Sequence, residues 1–205
     1  MNRADAVRLI LAAHAQPRVV IGGVGATSGA LWATEPAAKN HLYNMDFGYP
    51  AAVALGLAMA RPELSVIAME GDGSAIAGMS VYCTIAAYSP RNLTTVVFDN
   101  HVYGTGSAGF ATPTGRGLRL EQLAESCGLP GERVWRVGTQ AELASALPTL
   151  VEQGPSFLVI DTDTSDSRSG SRPQADVDFT ECGIQFQRHL RDLEFAAGAA
   201  SGDLP

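Results

Sequence analysis

Two polar residues stand out for what surrounds them and for the distance between them. Asp72 sits between two glycines in Gly71-Asp72-Gly73-Ser74, directly after the apolar run 65–70. Asn100 follows Asp99 at the end of a second apolar run, 93–98. Residues 74–99, 26 in all, separate Gly73 from Asn100. Both runs read as β-strands, the second continuous enough to be covered on both faces. A carboxylate and an amide therefore stand at the carboxyl ends of two strands, where open α/β sheets gather their ligands. Carboxylate, amide and main-chain carbonyl oxygens are hard donors, suited to Mg²⁺ carrying a diphosphate. Gly71 and Gly73 let backbone amides approach phosphate oxygens without a Cβ in the way. A helix opening after Ser74 points its first amides at the same anion, and the Ser74 hydroxyl offers one more contact.

These groups need a scaffold, and the remaining pattern supplies one. Val7, Ile10, Leu11 and His14 fall at helical i, i+3, i+4, i+7 spacing. Residues 18–22 read as a strand entering a glycine-rich turn, 22–29, followed by a helix and a short segment at 41–45. An Ala/Leu-rich helix over 49–60 ends before Pro62. After the second strand come a Gly/Ser/Thr loop (104–117), a helix (118–127), a strand (133–137), a Thr-capped helix (139–153) and a last strand (157–161). Strands alternating with helices predict an α/β fold: a doubly wound, mostly parallel sheet with helices on both faces. Residues 1–162 form the domain. Residues 163–178 are polar, rich in Ser and Asp, and read as a linker or lid. Residues 179–205 hold a C-terminal helix and a frayed tail.

Composition narrows the partners. The chain has 205 residues, a formal net charge of −7 and scattered basic residues, which argues against nucleic acid or an anionic membrane surface. Cys83, Cys127 and Cys182 match no metal-ligand spacing and read as reduced thiols. The apolar run 7–13 is interrupted by Arg8 and reads as an amphipathic helix rather than a targeting segment. A cytoplasmic enzyme is the expectation.

The Gly-Asp-Gly and Asn spacing resembles that of the thiamine diphosphate enzymes. The resemblance implies a thiamine diphosphate-binding fold, with Mg²⁺ held by Asp72, Asn100 and the main-chain oxygen of Val102. Tyr103 and Gly104 would stand beside the cofactor. The segment Asn44-Met45-Asp46-Phe47-Gly48 is similar to the one that supports the aminopyrimidine in that family. It implies that Met45 props the cofactor and that the Tyr43 carbonyl accepts from its 4′-amino group. Asp46 departs from the family's usual glycine. An acid there would either transfer protons or repel strongly anionic substrates. His101 is a candidate proton donor, and Gly25 or Thr27 a candidate diphosphate contact. Arg168 and Arg172 could bind a carboxylate if the polar stretch closes.

Family members pair a diphosphate module with a second one that supplies an activating glutamate. This chain covers only the first, with no Glu in a recognisable activating context. It resembles the small β subunits of sulfopyruvate and phosphonopyruvate decarboxylases, through PRNLTTVVFDNHVYGTGS, ATPTGRGLRLEQLAESCG and DFTECGIQFQRHL. The implied protein is one subunit of a 2-oxo acid decarboxylase, active with a separate pyrimidine-binding subunit in an assembly with at least two copies of each. An acetolactate synthase-like or acyloin-forming carboligase is the rival within the class. The turn Gly23-Val24-Gly25-Ala26-Thr27-Ser28 approximates a dinucleotide fingerprint with Ser in the third glycine's place, so an NAD(P)-binding protein stays open. A catalytically retired structural partner is the third reading, disfavoured by the intact Asp72 and Asn100.

Overall fold

The computed structural model describes residues 1–104, 109–152, 154–163 and 175–201, with the side chains of 196–201 set aside. The polar stretch 164–174, with Arg168 and Arg172, lies outside the described residues, as do the loop positions 105–108 and residue 153.

In chain order the elements are α1 (Arg3–Ala13), β1 (Arg18–Gly23), α2 (Ala26–Thr34), β2 (His41–Met45), α3 (Pro50–Ala60), β3 (Ser65–Gly71), α4 (Asp72–Ala77) and α5 (Ser80–Tyr88). There follow β4 (Leu93–Asp99), α6 (Leu120–Ser126), β5 (Val134–Val137), α7 (Gln140–Glu152), β6 (Ser156–Asp161) and α8 (Phe179–Ser201). The six strands pair in parallel in the order β2-β1-β3-β4-β6-β5. Successive strand residues point to opposite faces, and both faces are covered. Val19, Ile21, Val66, Val97 and Val159 pack with α3, α5 and α6. Val20, Ile67, Val96, Phe98 and Ile160 pack with α1, α2 and α7. This is the doubly wound parallel sheet that the alternation predicts.

The helical stripe of α1 is buried as its spacing requires, Val7, Ile10, Leu11 and His14 all turning inward. The helix starts four residues earlier than the stripe suggests, because Asn2 Oδ1 caps it, accepting from Ala4 N at 2.9 Å and Asp5 N at 3.3 Å. It runs against the strands. At its end His14 Nε2 meets Thr94 Oγ1 at the start of β4 (3.1 Å), and at its beginning the Met1 ammonium donates to the Asp161 carbonyl at the end of β6 (2.7 Å). The amino end of α1 thus stands over the carboxyl edge of the sheet.

Three expected elements differ. α2 begins inside the glycine-rich turn, at Ala26, with Gly25 as its N-cap. The helix expected after Ser74 opens at Asp72 and breaks in two at Gly78. A Cβ there would lie 2.2 Å from the Gly48 carbonyl oxygen, so the turn that follows β2 is packed directly onto backbone. The loop after β4 folds back on itself: Val102 bridges Ala111 antiparallel, Tyr103 N donates to Phe110 O (2.8 Å) and Thr112 N to His101 O (3.0 Å). On the far edge, α8 docks beside β2, where Cys182 Sγ accepts from Tyr43 N at 3.4 Å.

Candidate functional site

The chain leaves β1 for β2 on one side, while β3 lies on its other side, so a crevice opens at the carboxyl ends of the central strands. It is an open cleft with about 490 Å³ of space, part of it shared with solvent. Val24 to Thr27 form one wall, Gly71 to Ser74 another, and Asn100 with Val102 to Gly104 the third. Arg3 and Phe47 complete the lining. Asp72, Asn100, Val102, Gly25 and Thr27, singled out from different parts of the sequence, therefore face one space.

Asp72 is buried, 3% exposed, at the start of α4. Its Oδ2 accepts from Thr112 Oγ1 at 2.6 Å and Thr114 Oγ1 at 3.0 Å, both on the segment that follows the Val102–Ala111 bridge, Thr114 at the start of a 3-10 turn. Burial raises its pKa first, and the nearby Asp99 carboxylate adds to the rise against the lowering by these hydroxyls. Among the described residues no Lys or Arg forms an ion pair with it, whereas Asp99, one strand away, is paired with Arg136 at 2.9 Å. A buried carboxylate paired with no base suits a divalent cation. Asn100 Oδ1 accepts from Val102 N at 3.2 Å, holding the turn that carries Val102 onto the cleft wall. The donor set fits a hard cation.

Gly73 shows why a side chain is excluded from this wall. A Cβ on it would stand 2.5 Å from Tyr103 Cε1 and 3.1 Å from Phe47 Cζ. Those two rings lie 6.4 Å apart between centroids and flank the mouth of the cleft. At Gly71, by contrast, an added Cβ meets nothing within 4 Å, so the cleft has room beside the Asp72 backbone.

Ser74 is committed elsewhere. Its hydroxyl donates to Glu70 Oε2 at 2.7 Å and accepts from Gly48 N at 2.9 Å. Ser74 still lines the cleft, but its one proton is directed to Glu70. Glu70, 1% exposed, also accepts from Tyr82 OH at 3.3 Å. Burial pushes its carboxyl up to about 7 despite both hydrogen bonds.

Four candidates do not reach the cleft wall. His101 has φ +65°, and its ring is turned towards β6, with Nδ1 3.1 Å from Asp99 Oδ1 and 3.3 Å from Thr114 Oγ1. Tyr43 is buried in the core beneath α8, its hydroxyl donating to the Glu35 carbonyl at 2.6 Å. Met45 packs at the rim of the other core, and Asp46 is exposed at the end of β2. These last three belong to a neighbouring strand end, so only a ligand extending out of the cleft would meet them. Asp99, His101 and Asp161 cluster closely enough for a metal, but Arg136 already bridges both carboxylates.

Several residues of the site and its support carry no signal in local sequence. Thr112 and Thr114 reach Asp72 through the fold-back of a loop, and Phe47 through the turn packed on Gly78. Arg3 has a usable signal: it lies three residues before Ala6 and four before Val7, on the buried stripe of a helix that precedes a parallel strand.

Comparison with known proteins agrees with this geometry. Residues 23–161 match the family model described as thiamine pyrophosphate enzyme, C-terminal TPP binding domain. The chain is 30% identical over 129 residues to sulfopyruvate decarboxylase subunit beta of Methanocaldococcus jannaschii, which covers 62% of this chain and 67% of that one. It is 30% identical over 159 residues to phosphonopyruvate decarboxylase of Streptomyces hygroscopicus, covering 77% of this chain but 38% of the longer relative. A solved structure from Mycobacterium smegmatis, described as a thiamin diphosphate-dependent enzyme, superposes with a TM-score of 0.66 at 20% identity, over 80% of this chain and 32% of that one. This last likeness is one of fold.

Proposed function

This chain belongs to the thiamine pyrophosphate enzymes, through their C-terminal TPP-binding domain, and we propose that it is the cofactor- and Mg²⁺-holding subunit of a two-subunit 2-oxo acid decarboxylase. The substrate class is an oxo acid with a second anionic group, as in the sulfopyruvate and phosphonopyruvate decarboxylases it is similar to. The observation that carries the reading is the convergence of Asp72, Asn100 and Val102 on one cleft, with Asp72 buried and paired with no base among the described residues.

Asp72, Asn100 and the Val102 carbonyl would hold Mg²⁺, with the Gly25–Thr27 turn and Gly71–Gly73 against the diphosphate. Tyr43 and Met45, outside the cleft, would meet the pyrimidine end. When bound, thiamine diphosphate supplies an electron sink for the negative charge left as CO₂ departs. The protein's part is positional. Thr112 and Thr114 fix the Asp72 carboxylate, the Glu70–Ser74–Gly48 chain fixes the turn carrying Phe47, and Phe47 with Tyr103 shields the mouth from water. The relatives named as beta subunits cover lengths close to that of this domain, and the longer phosphonopyruvate decarboxylases have room for a second module. A separate pyrimidine-binding subunit supplying the glutamate completes the enzyme.

The test is CO₂ release from sulfopyruvate and phosphonopyruvate, with thiamine diphosphate and Mg²⁺ present. The chain alone is expected to be inactive and the chain with its partner subunit active. Full turnover by the purified chain alone would contradict the two-subunit reading.

A further inference from the structure

We propose that Arg136, on the outermost strand of the sheet, is a positioning residue for the metal site, acting through Asp99 on all three groups that would hold the cation. The inference rests on the cofactor reading above and adds to it the residue that supports those groups.

Asp99 stands between these groups. It is the last residue of β4, wholly buried, and lies directly before Asn100. Its Oδ1 accepts from His101 N at 3.2 Å, which closes the turn carrying Asn100 and Val102. The same oxygen accepts from Thr114 Oγ1 at 2.7 Å, and that hydroxyl lies 3.0 Å from Asp72 Oδ2. One carboxylate thus joins the turn that bears two of the ligands to the hydroxyl beside the third. The junction brings two buried acids onto one hydroxyl, and like charges so placed repel.

A permanent positive charge on the far side of Asp99 makes that arrangement tenable. Arg136 supplies it from the third position of β5, reaching across β6. Its Nη2 donates to Asp99 Oδ2 at 2.9 Å and to Asp161 Oδ1, its Nε to Asp161 Oδ2 at 3.2 Å and its Nη1 to Glu121 Oε2 at 3.1 Å. The fork takes Oδ2 of Asp99 and leaves Oδ1 to the turn and to Thr114. An ion pair serving only the sheet edge would end at Asp161, which is 40% exposed and stands opposite Asp99 in the register. The guanidinium goes one strand further, to an acid with no exposure. His101 Nδ1 also lies 3.1 Å from Oδ1, but an imidazole is charged only when protonated and a guanidinium always is. Without Arg136, Asp99 would be a buried charge short of its partner, and the turn and Thr114 would shift to relieve it.

The experiment is calorimetric titration of the full chain with thiamine diphosphate in Mg²⁺, for wild type, Arg136→Met and Arg136→Lys, each also in Asp99→Asn and Asp161→Asn backgrounds. Arg136→Met is expected to weaken binding about ten- to a hundredfold, the usual effect of removing a group that orients a metal ligand. Arg136→Lys, which keeps the charge without the fork, should lose less. In the Asp99→Asn background an amide oxygen still accepts from the turn and from Thr114 while the charge is gone, so Arg136→Met should cost only about twofold. In the Asp161→Asn background it should cost as much as in wild type. If Arg136→Met does not fold, Arg136→Lys carries the test by a several-fold loss that Asp99→Asn removes. Arginine variants that bind as tightly as wild type, a loss of equal size in all three backgrounds, or a loss that Asp161→Asn relieves would each overturn the role of Arg136 and leave the cofactor reading standing. A wild-type chain that binds no thiamine diphosphate overturns the cofactor reading itself.

Discussion

Thr112 and Asp72 lie 40 residues apart in the chain, yet the threonine hydroxyl donates to Oδ2 of the carboxylate at 2.6 Å. The bond ties the segment that follows β4 to the start of α4, so the placing of Thr112 decides how the acid faces the cleft. Thr112→Val keeps the shape and removes the donor. A hydrogen bond to a charged group contributes roughly 1.5–3 kcal/mol, so metal-dependent cofactor affinity should drop by about tenfold or more. Titration of the variant in Mg²⁺ checks this, and unchanged affinity would show that Asp72 needs no such support.

Glu70 makes stability depend on pH in a definite direction. Its carboxyl is pushed up to about 7 from an ordinary 4.5, chiefly by burial. Between those values the folded chain keeps a proton that the unfolded chain has released, so this group's contribution falls as pH rises and the cost is complete above pH 7. The full cost is about 3 kcal/mol. His41 works the other way. Burial, helped by Arg18 and His189, lowers its pKa to about 3, so it is neutral in the folded protein despite lying 3.1 Å from Glu35, and stability is lost as pH falls below 6.5. The two effects offset each other where they overlap, so the wild-type profile alone is uninformative. The difference between Glu70→Gln and wild type isolates the acid. By urea denaturation the variant should gain about 2–3 kcal/mol at pH 8 relative to its position at pH 5. A difference that does not change with pH would rule out a titrating Glu70.

Gly78 and Gly56 predict opposite outcomes for the same substitution. At Gly78 a Cβ would lie 2.2 Å from the Gly48 carbonyl oxygen, and backbone has to move. Gly78→Ala should cost about 3 kcal/mol, in the range of an overpacked site. At Gly56, inside α3, an added Cβ meets nothing within 4 Å, and Gly56→Ala should stabilise by about 0.5–1 kcal/mol through helix propensity. Melting temperatures of the two variants, one lowered and one raised, are the check. A Gly78→Ala protein as stable as wild type would mean the turn after β2 is not packed on that helix break.

What could be read in the sequence follows from where the signal is local. The apolar runs ending at Gly71 and Asp99 mark strand ends by themselves, so Asp72 and Asn100 can be assigned to one edge of a parallel sheet before any contact is known. The helix break at Gly78 cannot, because it is imposed by Gly48, thirty residues upstream and in another element. Ser74 shows the same limit in a side chain. Its position beside the glycines suggests a phosphate contact, but its hydroxyl donates instead to a buried acid four residues earlier. His101 follows a candidate ligand and looks placed for chemistry, yet a positive φ turns its ring towards Asp99. Arg3 was hidden by the helix stripe, which looked complete from Val7 onward.

In the proposed enzyme a divalent cation joins Asp72 and Asn100 to a diphosphate. Calorimetric titration of the full chain with thiamine diphosphate, in Mg²⁺ and again in EDTA, tests it directly, with Asp72→Ala as the companion. Saturable binding is expected in Mg²⁺, lost in EDTA and weakened by about a hundredfold or more in Asp72→Ala, whose fold should remain intact. Binding that ignores both the metal and the substitution, or NAD(P) binding where thiamine diphosphate fails, would contradict it.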